Sequence, residues 1–408
     1  MNTPAQIRFF DNRTPPHIST LILLAGISAL NMSIFLPSLT RMAEFFQTDY
    51  ATMQLSVSGY LAATAVLQIF VGPLSDRFGR RKLMLGSLLI FIAATIGALF
   101  ATSIAAFLTF RILQATVATG IVLSRAVVRD IYPANVSASK IGYVTMGMAV
   151  IPMIGPTIGG VLDQAFGWQS SFVFLSLAGA LVFVFCYFDQ GETVRPGGTS
   201  FAQQLRSYPD LLSAPRFWGY ALCSAFGSGS FFAFLGGAAF VADHLYGLSA
   251  MMTGAALGAP AIGYALGNFL TGRYAIRFGI DTMALAGCIV SIAGLGASLL
   301  VSLAGFNTAA LFFGFCTLLG LGNGLMLPNA TAGLLSVRPL LAGTASGLGG
   351  ALMIGGGAAL SQFAGTLLND TSGTIPLQVL MLVSAILSLV SIGVVILRTR
   401  ALASRLPA

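Results

Sequence analysis

Charge is what this sequence lacks. Of its 408 residues 8% are charged and 56% hydrophobic, where roughly a quarter charged is usual for a soluble domain. So little charge cannot solvate a globule of this size, and the composition specifies an integral membrane protein. Acids are scarcest, at 12, and none lies near the middle of a long apolar run. The two histidines, His17 and His244, also fall outside those runs, so the usual intramembrane proton carriers are missing. The four cysteines, Cys186, Cys223, Cys288 and Cys316, are far apart within apolar runs. Their spacing gives neither a disulfide framework nor a metal knuckle, and they read as small core residues. Paired carboxylates, a His/Cys cluster and a Gly-rich phosphate loop are absent as well, which argues against an enzyme and leaves no cofactor or metal to expect.

What charge there is has a pattern. Gly72-Pro73-Leu74-Ser75-Asp76-Arg77-Phe78-Gly79-Arg80-Arg81-Lys82 is a dense cluster between two apolar runs of spanning length. Its cations place this loop on the cytoplasmic side by the positive-inside rule. Gly72 and Pro73 close one helix and Gly79 permits a tight turn. Of 20 Lys and Arg, 18 fall in segments assigned to the inside, with Arg41 outside and Arg111 within a helix. The net charge of +8 therefore reflects topology and not a nucleic-acid footprint.

Apolar runs predict twelve transmembrane helices, near 18–39, 52–73, 83–101, 104–126, 139–162, 169–188, 216–242, 250–275, 283–304, 307–335, 341–367 and 376–397. Arg8 and Arg13 precede the first run as in a signal peptide, but that run is too long for one and is expected to remain as a helix. The cations at both ends put both termini in the cytoplasm. A polar stretch, 189–215, divides the chain into six-helix halves, 1–188 and 216–408, and its 201–212 part reads equally as a surface amphipathic helix or a solvated linker. Arg77-Phe78-Gly79 and Arg277-Phe278-Gly279 occupy corresponding places in the two halves, with Ile276 where the first copy has Asp76.

With these motifs the chain resembles the major facilitator superfamily. Gly72–Lys82 resembles the loop between its second and third helices, Arg111-Ile112-Leu113-Gln114 its fourth-helix motif, and Gly155-Pro156-Thr157-Ile158-Gly159-Gly160 a fifth-helix motif of proton-exchanging exporters. Arg125-Ala126-Val127-Val128-Arg129-Asp130, Gly322-Asn323-Gly324 with Pro328-Asn329-Ala330, and Ala342–Gly347 resemble the Bcr/CflA branch, whose known members export drugs and small metabolites. The resemblance implies a twelve-helix fold of two pseudo-symmetric halves, a monomer in the bacterial inner membrane, and export of small organic compounds, with proton antiport. Members of that branch commonly carry a first-helix Asp where this sequence has Ser33.

Arg111 would lie about 12 Å into the fourth helix, at about 1.5 Å per residue. An intramembrane arginine must face protein or water. Gln114 and Ala118 share its helix face. Either this group binds an anionic or dipolar substrate, or Arg111 is structural, bonded to backbone carbonyls or Asn31; the substrate assignment is carried forward. Ser28, Asn31 and Phe35 in the first helix, Ser228 and Phe231 in the seventh and Asn323 in the tenth complete the expected substrate contacts, and Met146, Met148 and Met153 offer adaptable surface. Expected gating residues are Gly72, Asp76, Arg77, Gly79, Arg80, Arg81, Arg125, Arg129, Gly155, Pro156, Gly159, Gly160 and the helix-breaking Pro328. Asp76 is expected to pair with Arg129 or a helix terminus, and Gly155 and Gly159 to meet the Gly-rich eleventh helix. Asp163, near the outer end of the fifth helix, is the nearest candidate proton carrier. The rival function is a facilitator or importer of small organic anions, carboxylates or sulfonates, that needs no proton.

Overall fold

The computed structural model describes residues 8–132, 154–193, 209–338, 342–369 and 373–403, with positions 140, 144 and 151. Among them the chain is helical throughout, without a strand. In order the helices are α1 (Ile18–Ser33), α2 (Leu39–Phe45), α3 (Tyr50–Phe78), α4 (Arg80–Leu99), α5 (Ile104–Gln114), α6 (Thr119–Ile131), α7 (154–166) and α8 (Gln169–Asp189). They continue as α9 (Pro215–Phe240), α10 (Ala250–Leu257), α11 (Ala259–Phe278), α12 (Ile280–Leu303), α13 (Ala309–Ser336), α14 (Ala342–Leu367) and α15 (Ile375–Ala403). Among the described residues, nine helical stretches are long and apolar enough to cross a membrane.

Local chemistry sets the helix starts. The side chains of Asp49, Ser103 and Thr308 accept backbone N–H groups at the starts of α3, α5 and α13, and Pro215 opens α9 where its missing N–H costs nothing. The Arg-Phe-Gly repeat is structural. Gly79 and Gly279 take φ of +93° and +80°, each ending one helix and starting the next, a conformation that L side chains avoid. In both turns the arginine lies over the adjoining ring, Arg77 at 5.5 Å and Arg277 at 5.4 Å.

Several spans are more broken than hydropathy suggests. The fourth is interrupted by a 3-10 turn at Ala115–Ala118, and the eighth breaks at Gly258 ahead of Pro260, where the sequence reading ran one helix through 250–275. Asp189, assigned by sequence to the linker, is the last residue of α8 and is fully buried. Its carboxylate accepts from Phe10 N (2.9 Å), His17 N (2.8 Å) and the Thr20 hydroxyl (2.7 Å), fixing the segment before α1 and placing an acid at that helix's positive end.

The chain forms two compact units, residues 1–201 with 250–254, and 202–249 with 255–408. In the first, a Cβ on Gly159 would strike the Ile34 carbonyl and one on Gly155 the Ser33 hydroxyl. Likewise Gly160 abuts the Ala250 carbonyl and Gly254 the Pro156 carbonyl, with the Thr157 hydroxyl donating to the Gly254 carbonyl at 3.3 Å. The expected partner of this glycine face, the eleventh span, is therefore corrected: α7 packs on the end of α1 and on residues 250–254. Small residues announce a close approach without saying to what.

In the second unit α11 and α13 form the tighter seam. Gly263 and Gly267, one turn apart, meet the carbonyls of Thr317 and Leu321, while Gly320 and Gly324 meet those of Pro260 and Tyr264. Lipid provides no hydrophobic drive between helices, so such backbone-to-backbone contact is what holds them.

Candidate functional site

Arg111 lies in the last turn of α5 and is completely buried. Its Nε donates to the Ser56 carbonyl at 3.1 Å, Nη1 to Asn31 Oδ1 at 3.1 Å and to Gln114 Oε1, and Nη2 to the Asn31 carbonyl at 3.5 Å. These four bonds use four of the five N–H groups that a guanidinium carries. The cation is held between two rings, with Cζ 4.2 Å from the centre of Phe35 and 4.9 Å from that of Tyr60. The donor direction continues outward from it. Gln114 Nε2 donates to Thr95 Oγ1 at 2.8 Å, and Thr95 donates to the Phe91 carbonyl at 2.6 Å. This order fixes which end of the Gln114 amide faces the arginine.

Every partner of the guanidinium is neutral. Among the described residues no carboxylate lies within ion-pair distance of Arg111, and the buried Asn31 Nδ2 has no hydrogen-bond partner. A buried cation without a counter-ion is costly, and the rings and carbonyl dipoles offset part of that cost. This bonding, to backbone carbonyls and Asn31, is the one that the structural alternative for Arg111 called for, and among the described residues it leaves one guanidinium N–H without a bond in the protein.

Arg111, Gln114, Asn31 and Phe35 come together as expected from sequence. Ser28 lies beside them, but its hydroxyl is spent on the Val117 carbonyl (2.6 Å) and the Leu24 carbonyl (3.1 Å), and Ala118 is buried in the 3-10 turn. The sequence reading missed Tyr60 and Thr95. Tyr60 lies one turn after Ser56 on α3, a spacing that could have signalled it.

In the second unit Ser228 donates to the Ser224 carbonyl of its own helix at 2.6 Å, and Phe231 stacks on Phe234 with centroids 6.3 Å apart. Asn323 lines a narrow, largely apolar crevice with Ser230, Cys288, Ser291, Met326 and Ser388. Pro328 lies inside α13 and removes the N–H that would bond the Gly324 carbonyl. The Thr271 hydroxyl of α11 supplies the missing donor at 3.1 Å, and Asn329 Nδ2 bonds Leu325 carbonyl at 2.7 Å and Thr271 Oγ1 at 3.3 Å.

Of the expected gating residues, Arg80 pairs with Asp130 at 2.9 Å and bonds the Ser75 hydroxyl, and Arg77 is exposed. Among the described residues nothing lies within 4 Å of where a Cβ on Gly72 would stand, and Arg125 is half-buried on α6. The side chains of Asp76 and Arg129, residues Met146, Met148 and Met153, and the 201–208 part of the linker lie outside the described residues. Asp163 is buried, with Arg41 Nη1 at 3.4 Å from its Oδ1.

The family profile described as Major Facilitator Superfamily matches residues 21–361. The chain belongs to this superfamily. As a member it is a membrane transporter and not an enzyme, in keeping with the resemblance on which its motifs were read. It is 29% identical over 366 residues to Multidrug resistance protein D of Escherichia coli K12, covering 88% of this chain and 90% of that one. To a bicyclomycin resistance protein homolog of Haemophilus influenzae it is 25% identical, over 87% and 90% of the two chains. A chloramphenicol resistance protein of Pseudomonas aeruginosa is 35% identical over 224 residues, 53% of this chain, and there the chain spans about half (52%) of the relative's length. Among solved structures, a bacterial homolog of the human lysosomal transporter Spinster superposes with a TM-score of 0.74 at 17% identity, covering 96% of this chain and 98% of that one. That likeness carries the superfamily fold.

Proposed function

We propose that this superfamily member exports small organic compounds by alternating access, as a multidrug efflux transporter driven by substrate/proton antiport. The observation that carries the reading is the similarity to Multidrug resistance protein D across nine-tenths of that protein, 90%. In this reading the protein is a monomer of the bacterial inner membrane with both termini cytoplasmic, organised as halves 1–188 and 216–408 about a linker. Arg111, Asn31, Gln114 and Phe35 form the centre of the substrate site, and the signature loop and the α7 glycine face change contacts as the cavity changes sides.

The test is accumulation of labelled neutral, cationic and anionic compounds in efflux-deficient cells expressing the protein, with and without a protonophore. Export requires lowered accumulation that the protonophore restores. A second reading, facilitated passage of small organic anions, is favoured by the neutral surroundings of Arg111. It requires instead that anions equilibrate faster in both directions and that the protonophore change nothing.

In the antiport reading Asp163 carries the proton, because it is a buried carboxylate whose partner Arg41 is half exposed and can be drawn to water. Asp163→Asn is expected to abolish protonophore-sensitive accumulation differences while leaving substrate binding, measured by ligand-induced fluorescence change, within about twofold. Full proton-driven export by this variant removes Asp163 from the mechanism.

A further inference from the structure

The linker begins by turning back onto the signature loop. Because Gly79 starts α4 directly after α3, the first N–H groups of α4 have no intrahelical acceptor. The carboxylate of Glu192 takes them, Oε1 accepting from Arg80 N at 2.9 Å and Oε2 from Arg81 N at 3.3 Å. A Cβ on Gly79 would collide with this same carboxylate.

The return contact runs from α4 to α8. Arg81 donates through Nη1 to the Gln190 carbonyl at 2.7 Å and through Nη2 to the Tyr187 carbonyl at 2.9 Å, with its guanidinium over the Tyr187 ring at 5.5 Å. An acid from beyond α8 thus caps the positive end of α4, and a cation from α4 caps the negative end of α8. The Thr193 hydroxyl extends the arrangement to Asp130 Oδ2 at 3.2 Å, the carboxylate already paired with Arg80.

The twin turn in the second unit shows the alternative. Gly279 has the same positive φ but, among the described residues, nothing within 4 Å of the place where its Cβ would stand.

We propose that Asp189 to Thr193 form a strap that holds the Gly79–Arg81 turn, with Glu192 as its positioning residue, so that the linker sets how readily the signature loop rearranges during transport. This rests on the transport reading of that loop. Glu192 is itself exposed, and a surface cap of this kind can open and reform within a transport cycle.

The experiment measures two things on the full-length protein, hydrogen exchange over residues 79–84 and turnover in proteoliposomes. Glu192→Ala is expected to speed exchange at the Arg80 and Arg81 amides about tenfold, in line with loss of a helix cap. Turnover is expected to change about threefold or more, by the same loss of cap, while the half-saturating substrate concentration stays fixed. Glu192→Asp, which keeps the charge, restores part of both effects, and Glu192→Gln falls between. Unchanged exchange in the alanine variant overturns the strap. Faster exchange with unchanged turnover overturns the positioning role. The exchange measurement needs no transported compound, so a failure of the efflux reading is told apart from a failure of the strap.

Discussion

Arg111→Ala is expected to abolish transport, with a loss on the order of a hundredfold or more, while folded protein is still recovered from the membrane. The bonds that vanish are internal to the protein and bear on folding, at about 1.5–3 kcal/mol for each hydrogen bond to a charged group. The loss of transport follows from removing the cation of the site, a hundredfold corresponding to about 2.7 kcal/mol of interaction with the transported compound. The substitution leaves the Ser56 carbonyl, Asn31 Oδ1 and Gln114 Oε1 without their donor and opens a gap between Phe35 and Tyr60. It also removes a buried cation that has only neutral partners, so the cost to folding is partly returned. Arg111→Lys separates charge from shape, because an ammonium cannot span two rings and four oxygens as a planar fork does. A loss of about tenfold or more is expected there too. Uptake by purified protein in proteoliposomes, read beside size-exclusion profiles, measures both quantities. Transport retained by the alanine variant would reduce Arg111 to a structural role.

Gly320→Val is expected to yield no folded transporter. At this position the obstacle is the Pro260 carbonyl, a backbone atom that cannot rotate aside, and the reciprocal contact of Gly263 with the Thr317 carbonyl leaves the two helices no slack. Overpacking a well-filled core costs about 1–3 kcal/mol even when side chains can yield, and here α11 and α13 would have to separate along their length. The same helices carry their own controls, since a Cβ on Gly272 or Gly314 meets nothing within 4 Å among the described residues. Gly272→Ala and Gly314→Ala should unfold within about 0.5 kcal/mol of the parent, as substitutions away from packed features do. Thermal unfolding of all three in detergent makes the comparison, and a well-folded Gly320→Val would show that α11 and α13 can part without loss of the fold.

Nine of the twelve expected spans were legible among the described residues, because hydropathy over twenty residues depends on composition alone. The paired turns were legible because Arg-Phe-Gly recurs and a positive φ favours glycine. The break at Gly258 was not, although Pro260 stood in the sequence, because the apolar run continues through it without a change in composition. Glycine faces raise the same difficulty in another form. Gly155 and Gly159 promise that some helix comes close, yet the identity of that helix is a property of the assembled chain, and it proved to be α1 and not the eleventh span.

At the candidate site the polar residues of α1 and α5 were readable from helical spacing, whereas Tyr60 and Thr95 enter from separate helices through contacts that no local period encodes. Glu192 was hidden for a different reason. A lone acid in a polar stretch looks solvated, and its value comes from two backbone N–H groups more than a hundred residues earlier in the chain.

The hydroxyl of Thr271 stands in for the amide hydrogen that Pro328 does not possess. Positions 271 and 328 are therefore a single inherited character written in two places. A lineage that replaced the proline with an ordinary residue would recover the helical donor, and position 271 would keep only its bond from Asn329. A lineage that lost the hydroxyl first would carry a stranded carbonyl in the tightest seam of the unit. The order of the two changes is thereby constrained, and across descendants of this chain a non-donor at 271 should be found only where 328 has already ceased to be proline.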